Sequence, residues 1–236
     1  MLKGMQKVGI IGGVTWLSTI DYYRMINEKV NHRLGGINSA ELLISSVNFD
    51  EVIQPLRKND WDTVEKLFTE KATEMKLSGT EFLAICSNTI AKIAKNIAKK
   101  SNLKLIDIIG ATAYQIKLKG LKKVGFLGTG FSMKNTFYTE ELSTYGIDTV
   151  MPNGQEIVCL DQIIFKELAH QIISEKSRKT LIKIIHRLVN EMGVEGVVLG
   201  CTELPLLLNQ KQTEIPLFNT TKIHVNAIIN VLLKPV

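Results

Sequence analysis

The chain is short of the residues that make the most easily recognised sites and staples. Its 236 residues hold three cysteines, Cys86, Cys159 and Cys201, too few and too far apart for a disulfide framework and without a CxxC pair. Four scattered histidines offer no zinc spacing, so no metal site is expected. Aromatic residues make up only 6% and none interleaves with the lysine runs AKIAKNIAKKSNLK (91–104) and IKLKGLKK (116–123), which removes the stacking partners of a single-strand nucleic-acid surface. Those lysines alternate with Ile, Ala and Leu and read as solvated faces or loop rims, so no nucleic-acid partner is expected. No apolar run approaches the roughly 18 residues of a membrane helix, and MLKGMQKVGIIGGVTW carries no small-residue cleavage site; the expectation is a cytoplasmic protein without a membrane partner.

What is present describes an ordinary globular chain. Lys plus Arg number 29 against 23 Asp plus Glu, a net charge of +6, and 45% of residues are apolar. At about 150 residues per domain, one large or two modest domains fit. Apolar runs alternate with amphipathic stretches: KVGII (7–11), STIDYYRMINEKVNHRL (18–34), ELLISSV (41–47), WDTVEKLFTEKATEMKLSG (61–79) and FLAIC (82–86). This alternation predicts an α/β fold with mainly parallel sheets. In the first helix Ile20, Tyr23, Ile26, Val30 and Leu34 recur three or four apart as the expected buried stripe, Ser18 with Asp21 makes a capping-box pattern, and Gly35-Gly36 ends it.

The second half repeats the plan. KVGFLGTG (123–130) echoes KVGIIGGV (7–14), with a helix following near Thr136–Tyr145, and GVEGVVLGC (193–201) echoes GTEFLAIC (79–86) with one residue more. LKLIDIIGAT (103–112) is matched by IPLFNTTKIH (215–224). Two halves sharing strand, helix and cysteine in one order predict two similar α/β lobes in a pseudo-twofold arrangement.

The matched cysteines are the candidates for chemistry. Cys86 follows a buried-strand pattern and precedes Asn88 and Thr89, natural caps for a helix carrying Ile90, Ile93, Ala94 and Ile97. Cys201 follows VVLG and precedes Thr202, a possible cap, Glu203 and Pro205. Open α/β sheets bind ligands at strand C-terminal ends, where a helix N-terminus favours a thiolate or a substrate carboxylate. A single free cysteine is more often a small buried hydrophobe, but two at equivalent places of a repeat point to function. Cys159 falls inside a helical pattern with Ile157, Leu160, Ile164 and Leu168 and reads as core. The turns GIIGGVTW and GFLGTGFS are not GxGxxG, and no acidic residue ends a second strand, so nicotinamide binding is not expected. They read as loops whose N–H groups and hydroxyls (Thr15, Thr129, Ser132) face a small anion, or as turns chosen for their backbone angles. His32, His170 and His186 read as helix-surface or packed residues, and His224 as a candidate to line the cleft.

GIIGGVTWLST, LGG with SAELLISSVNF, CSNT at 86–89, LGTGFSMKNTFY, IIFKEL at 163–168, GCTELPLL at 200–207 and PLFNTTKIH together resemble the aspartate/glutamate racemase family, closest to its bacterial amino-acid racemase branch. The resemblance implies a cofactor-independent isomerase with its active site in the cleft between the lobes. One cysteine acts as thiolate base and the other as thiol acid on opposite faces of the α-carbon. By carry-over Cys86 and Cys201 are catalytic, while Val14, Thr15, Ser87, Asn88, Thr89, Thr129, Lys166, Thr202 and Glu203 form the substrate site. The implied lobes are 1–101 with 216–236, and 102–215, and the implied assembly is a homodimer. The chain departs from the family pattern in having CSNTIA rather than CTNTMH, which puts Ala91 in place of His. It has GGVTW rather than GGMSW, PLFNTT rather than PLFDTT, and Leu56 where a polar residue such as Gln is usual near the substrate side chain; Arg57 and Lys166 are the nearby cations by sequence available to substitute. These departures bear on acidic-substrate specificity. Rival expectations are a maleate isomerase or arylmalonate decarboxylase relative, and a non-catalytic amino-acid-binding module.

Overall fold

The computed structural model describes residues 5–234. Residues 1–4, 235 and 236, part of the expected first lobe and of the N-terminus read above, lie outside the described residues. The chain forms two compact units, Met1–Ile108 with His224–Val236, and Ile109–Ile223.

The first unit runs β1 (Val8–Gly12), α1 (Trp16–Leu34), β2 (Leu42–Ser46), α2 (Phe49–Arg57), α3 (Trp61–Leu77), β3 (Phe82–Ile85), α4 (Ala91–Ser101) and β4 (Lys104–Leu105). Its sheet has the order β2-β1-β3-β4 with every pair parallel. The second unit begins within α5 (Ile108–Leu118) and continues with β5 (Lys123–Leu127), α6 (Gly130–Lys134), α7 (Phe137–Thr144), β6 (Asp148–Val150) and α8 (Gly154–Gln162). A π-helical turn, Ile163–Glu167, leads toward α9 (Glu175–Met192), β7 (Gly196–Leu199), α10 (Leu204–Leu207) and β8 (Leu217–Asn219). That sheet is also parallel, in the order β6-β5-β7-β8. The last helix, α11 (Thr220–Leu232), starts in the second unit and belongs to the first from His224 onward. Both unit boundaries fall a few residues after positions 101/102 and 215/216, because β4 pairs with β3 and β8 pairs with β7.

Strands covered on both faces must be apolar throughout, which is why β1, β3, β5 and β7 read as continuous apolar runs. The alternation of side chains is still visible in what each residue meets. Ile11, Leu83 and Ile85 join α2, α3 and α4 on one face of the first sheet. Val8, Ile10, Ala84 and Cys86 join Tyr22, Ile26 and Val30 of α1 and Val225, Ile228, Ile229 and Leu232 of α11 on the other. In α3 Val64, Phe68, Ala72 and Met75 are buried at helical spacing, facing Ile93, Ala94, Ile97 and Ala98 of α4. Each large side chain so buried contributes roughly 1.5–3 kcal/mol. This holds α4 down while Lys92, Lys95, Lys99 and Lys100 stay exposed on its outer side.

Two details of α1 differ from the expected pattern. Its buried residues are Ser18, Tyr22, Ile26 and Val30, whereas Ile20 and Tyr23 are 53% and 52% exposed. The stripe is set by Tyr22, whose ring is apolar and whose hydroxyl finds a buried partner in His224. The helix is also capped one turn earlier than expected, by Thr15, whose hydroxyl accepts from Ser18 N. Among the described residues no helix is long and apolar enough to cross a membrane.

Candidate active site

In each sheet the chain leaves the second strand in the order toward one side and returns on the other. The C-terminal ends of β1 and β3, and of β5 and β7, are therefore topological switch points, where open α/β sheets bind ligands. In the first unit the turn after β1 brings Val14 and Thr15 beside the end of β3, since Ile11 pairs with Ile85. Gly13 has φ +97°, and a Cβ there would lie 2.2 Å from Val47 O, so this turn accepts glycine alone. Cys86 prolongs β3, its N–H donating to Ile11 O at 2.9 Å. The turn that follows is closed by Ser87, whose hydroxyl accepts from Ile90 N at 3.3 Å, and the N-cap position of α4 is Ile90 rather than the expected Asn88 or Thr89. Cys86, Ser87 and Asn88 are all buried.

The second unit has the equivalent bond one residue earlier relative to its cysteine. Gly200 N donates to Leu127 O at 2.6 Å, so Gly200 occupies the place that Cys86 has in the first sheet. The reason is steric: a Cβ at Gly200 would sit 2.3 Å from the Phe126 ring. The thiol is therefore carried by the next residue, which accounts for the extra residue in the second motif. After β5, Thr129 caps α6 by accepting from Ser132 N at 3.3 Å. The N–H of Gly130, expected to face an anion, instead donates to Asp161 Oδ1 of α8 at 2.6 Å. Asp161 was not legible as a site residue because it lies 31 positions away and no motif marks it.

The thiols differ in surroundings. Burial pushes the Cys86 thiol above the usual range. Burial also pushes Cys201 up, and the Glu203 carboxylate adds to it. Cys201 Sγ–H donates to Glu203 Oε2 at 2.9 Å, and Thr202 Oγ1–H donates to the same oxygen at 2.7 Å. Thr202 thus serves the carboxylate rather than capping α10, which spans only four residues and presents almost no dipole. At Cys201 the backbone N–H groups of Thr202 and Glu203 favour the thiolate, but burial outweighs them.

Other candidates fall apart from these turns. Leu56 is 8% exposed and packed in the apolar cluster of α2, α3 and α4, so it does not offer its side chain to a ligand. Arg57 and Lys166 are exposed, Lys166 on the π-helical turn, and Asn219 Oδ1 accepts from Lys222 N at 3.0 Å. Cys159 is half-buried rather than core. His224, expected to line a cleft, is fully buried: Tyr22 Oη–H donates to Nδ1 at 2.9 Å and Nε2–H donates to Ile106 O at 2.7 Å. Burial lowers its pKa to about 4. His32, His170 and His186 are exposed on the surface. Among the described residues no three His, Cys, Asp or Glu side chains are grouped to hold a metal ion.

A parallel α/β unit made twice, with a cysteine following the same strand of each sheet, defines the class as a two-lobed α/β protein. The chain belongs to the Asp/Glu/hydantoin racemase family, whose sequence profile matches residues 11–228. It is similar over 98% of its length to a crystal structure from Yersinia pestis described as a candidate Asp/Glu racemase, with 40% identity, TM-score 0.92 and all of that chain covered. An aspartate racemase homologue from Pyrococcus horikoshii is 32% identical with TM-score 0.86, covering 98% of this chain and 100% of that one. A glutamate racemase from Streptococcus agalactiae is 26% identical over 65% of this chain and 54% of its own length.

Proposed function

We propose that the protein racemises an amino acid, aspartate or glutamate, without a cofactor, by passing the α-proton through Cys86 and Cys201. The observation that supports this most directly is the placement of one buried thiol at the switch point of each sheet, in a family of amino-acid racemases. A planar carbanion must be reprotonated from the face opposite the one that lost its proton, so two groups are required, and both thiols are needed to serve both enantiomers.

The raised thiols fit the task. A desolvated thiol stays protonated at rest and, once ionised, is a stronger base than an exposed one toward a weakly acidic C–H. In this reading the hydroxyls and N–H groups of Val14, Thr15, Ser87, Asn88, Thr89, Thr129 and Thr202 bind the ammonium and carboxylate groups of the substrate. Lys166 supplies an exposed cation for the second carboxylate, the role that Leu56 does not fill. A cytoplasmic homodimer belongs to the same proposal.

Incubation of the full-length protein with L- or D-aspartate and L- or D-glutamate, followed by chiral chromatography, tests the reading. Formation of the opposite enantiomer from one of the pairs, lost in Lys166→Ala for the diacids, is the expected result. No inversion of either acid contradicts the substrate assignment.

A further inference from the structure

Of the two turns expected to face a small anion, the one after β5 already holds a carboxylate of its own chain: Gly130 N donates to Asp161 Oδ1 of α8 at 2.6 Å. We propose that Asp161 binds the ammonium group of the substrate through Oδ2, so that this turn recognises the cation of an amino acid. This rests on the amino-acid reading above and adds an anionic partner to the hydroxyls and N–H groups named there.

The carboxylate stands at the switch point of the second sheet. Gly200 N donates to Leu127 O at 2.6 Å, and a Cβ on Gly128 would lie 3.4 Å from Gly200 O, so the turn after β5 runs against the turn that bears Cys201. Asp161 meets the first of these turns at Gly130. A Cβ on Gly130 would lie 3.0 Å from Asp161 Cγ and Oδ1 and 3.3 Å from Oδ2, so the carboxylate rests directly on the glycine and a larger residue would displace it.

This carboxylate has no cation of its own. Asp161 is half-buried, its bond to Gly130 N is the one hydrogen bond it makes among the described residues, and no Lys or Arg pairs with it there. Glu156, on the same helix and also half-buried, shows the usual remedy: Arg187 donates Nε to its Oε1 at 2.6 Å and Nη2 to its Oε2 at 2.5 Å. Removing a carboxylate from water is costly without a partner, and an ammonium group docked on Oδ2 would supply one.

An acceptor of this sign is what an amino acid requires. A hydroxyl accepts from an ammonium group without offsetting its charge, whereas a carboxylate does both and favours the protonated form over the free amine. That serves the reaction as well as binding, because positive charge on nitrogen stabilises the carbanion formed at the adjacent carbon. The bond to Gly130 fixes the carboxylate before substrate arrives, so little ordering is left to binding.

The test compares the full-length wild type with Asp161→Asn and Asp161→Ala. Asn keeps an oxygen for Gly130 N–H and removes the charge, while Ala removes both. Calorimetric titration with two pairs of ligands, L-aspartate against L-malate and L-glutamate against L-2-hydroxyglutarate, isolates the ammonium group. In the wild type the amino acid of at least one pair is expected to bind about tenfold tighter than its hydroxy acid, or more. In Asp161→Asn the affinity for that amino acid is expected to fall by about tenfold or more, while that for the hydroxy acid stays within about twofold. Asp161→Ala is expected to weaken both ligands, since the turn also loses its acceptor. Unchanged amino-acid affinity in Asp161→Asn, or an equal fall for amino acid and hydroxy acid in proteins of equal circular dichroism, overturns the proposal and leaves Asp161 as a clamp on the turn.

Turnover separates this from the racemase reading. KM for the amino acid is expected to rise in Asp161→Asn by the same factor as the dissociation constant, with kcat changed less. Racemisation by the wild type with KM unaltered in Asp161→Asn defeats the ammonium contact alone. The expected binding pattern with no inversion of any amino acid defeats the racemase reading alone. A wild type that binds no member of either pair defeats both.

Discussion

His224 gives the protein an acid-sensitive component of stability whose size follows from its surroundings. The ring is fully buried in the first unit, its Nε2–H donating to Ile106 O and its Nδ1 accepting from Tyr22. Both bonds suit the neutral tautomer, and desolvation lowers the pKa to about 4. In the unfolded chain a histidine titrates near its ordinary value of about 6.5. The unfolded state therefore binds a proton that the folded state refuses. The stabilisation is complete above about pH 6.5 and is lost as the pH falls toward 4. A difference of about 2.5 units at 1.36 kcal/mol each amounts to about 3 kcal/mol. Urea unfolding followed at steps between pH 7 and 4 measures it, with Tyr22→Phe/His224→Leu as the reference, in which the titrating group and its hydroxyl partner are both removed. The reference also subtracts the carboxylates that titrate over the same range, among them Glu156, held below its usual value by Arg187 against a desolvation that opposes it. The wild type is expected to lose about 3 kcal/mol more than the reference over this interval. Parallel pH dependence in the two proteins would refute the argument, and so would an imidazole ¹⁵N spectrum showing the Nδ1–H tautomer.

Gly200→Ala should destabilise by about 1–3 kcal/mol through overpacking against Phe126, which is fully buried and packed at a tilt against Tyr138 with centroids 4.1 Å apart, and should cost more activity than stability because it displaces Cys201; a thermal melt beside a racemisation assay reads both. Leu56→Gln should lower stability by about 1–3 kcal/mol, measured in urea, by burying an amide in an apolar cluster, with no gain in aspartate or glutamate turnover. Asp161→Ala should leave Gly130 N–H without its acceptor and raise KM more than it changes kcat, if the turn after β5 binds substrate.

The parts of the fold legible in the sequence are those written in local pattern. β1, β3, β5 and β7 are apolar runs that end in or are followed by glycine or cysteine, and their repetition foretold two similar parallel sheets. Chain-distant partners were not legible. Tyr22 is buried rather than Tyr23 because its hydroxyl meets His224, 202 positions away. β4 and β8 are two and three residues long, too short for a periodicity to show in the sequence. At the candidate site the cysteines and their turns were visible as motifs. The direction of the Glu203 side chain was not, since adjacency in sequence does not say whether a carboxylate faces a substrate or a sulfur. Asp161 was hidden for the opposite reason, as a lone acidic residue in a helical pattern until α8 is packed against the turn at Gly130.

In the proposed reaction two thiols, Cys86 and Cys201, exchange the α-proton of an amino acid. It is tested most directly by proton NMR in D₂O on L- and D-aspartate and glutamate without added cofactor, comparing the wild type with Cys86→Ser and Cys201→Ser. Deuterium at the α-carbon together with inversion is expected in the wild type, and loss of inversion in each single variant with the fold retained. Full racemisation by either serine variant would contradict it.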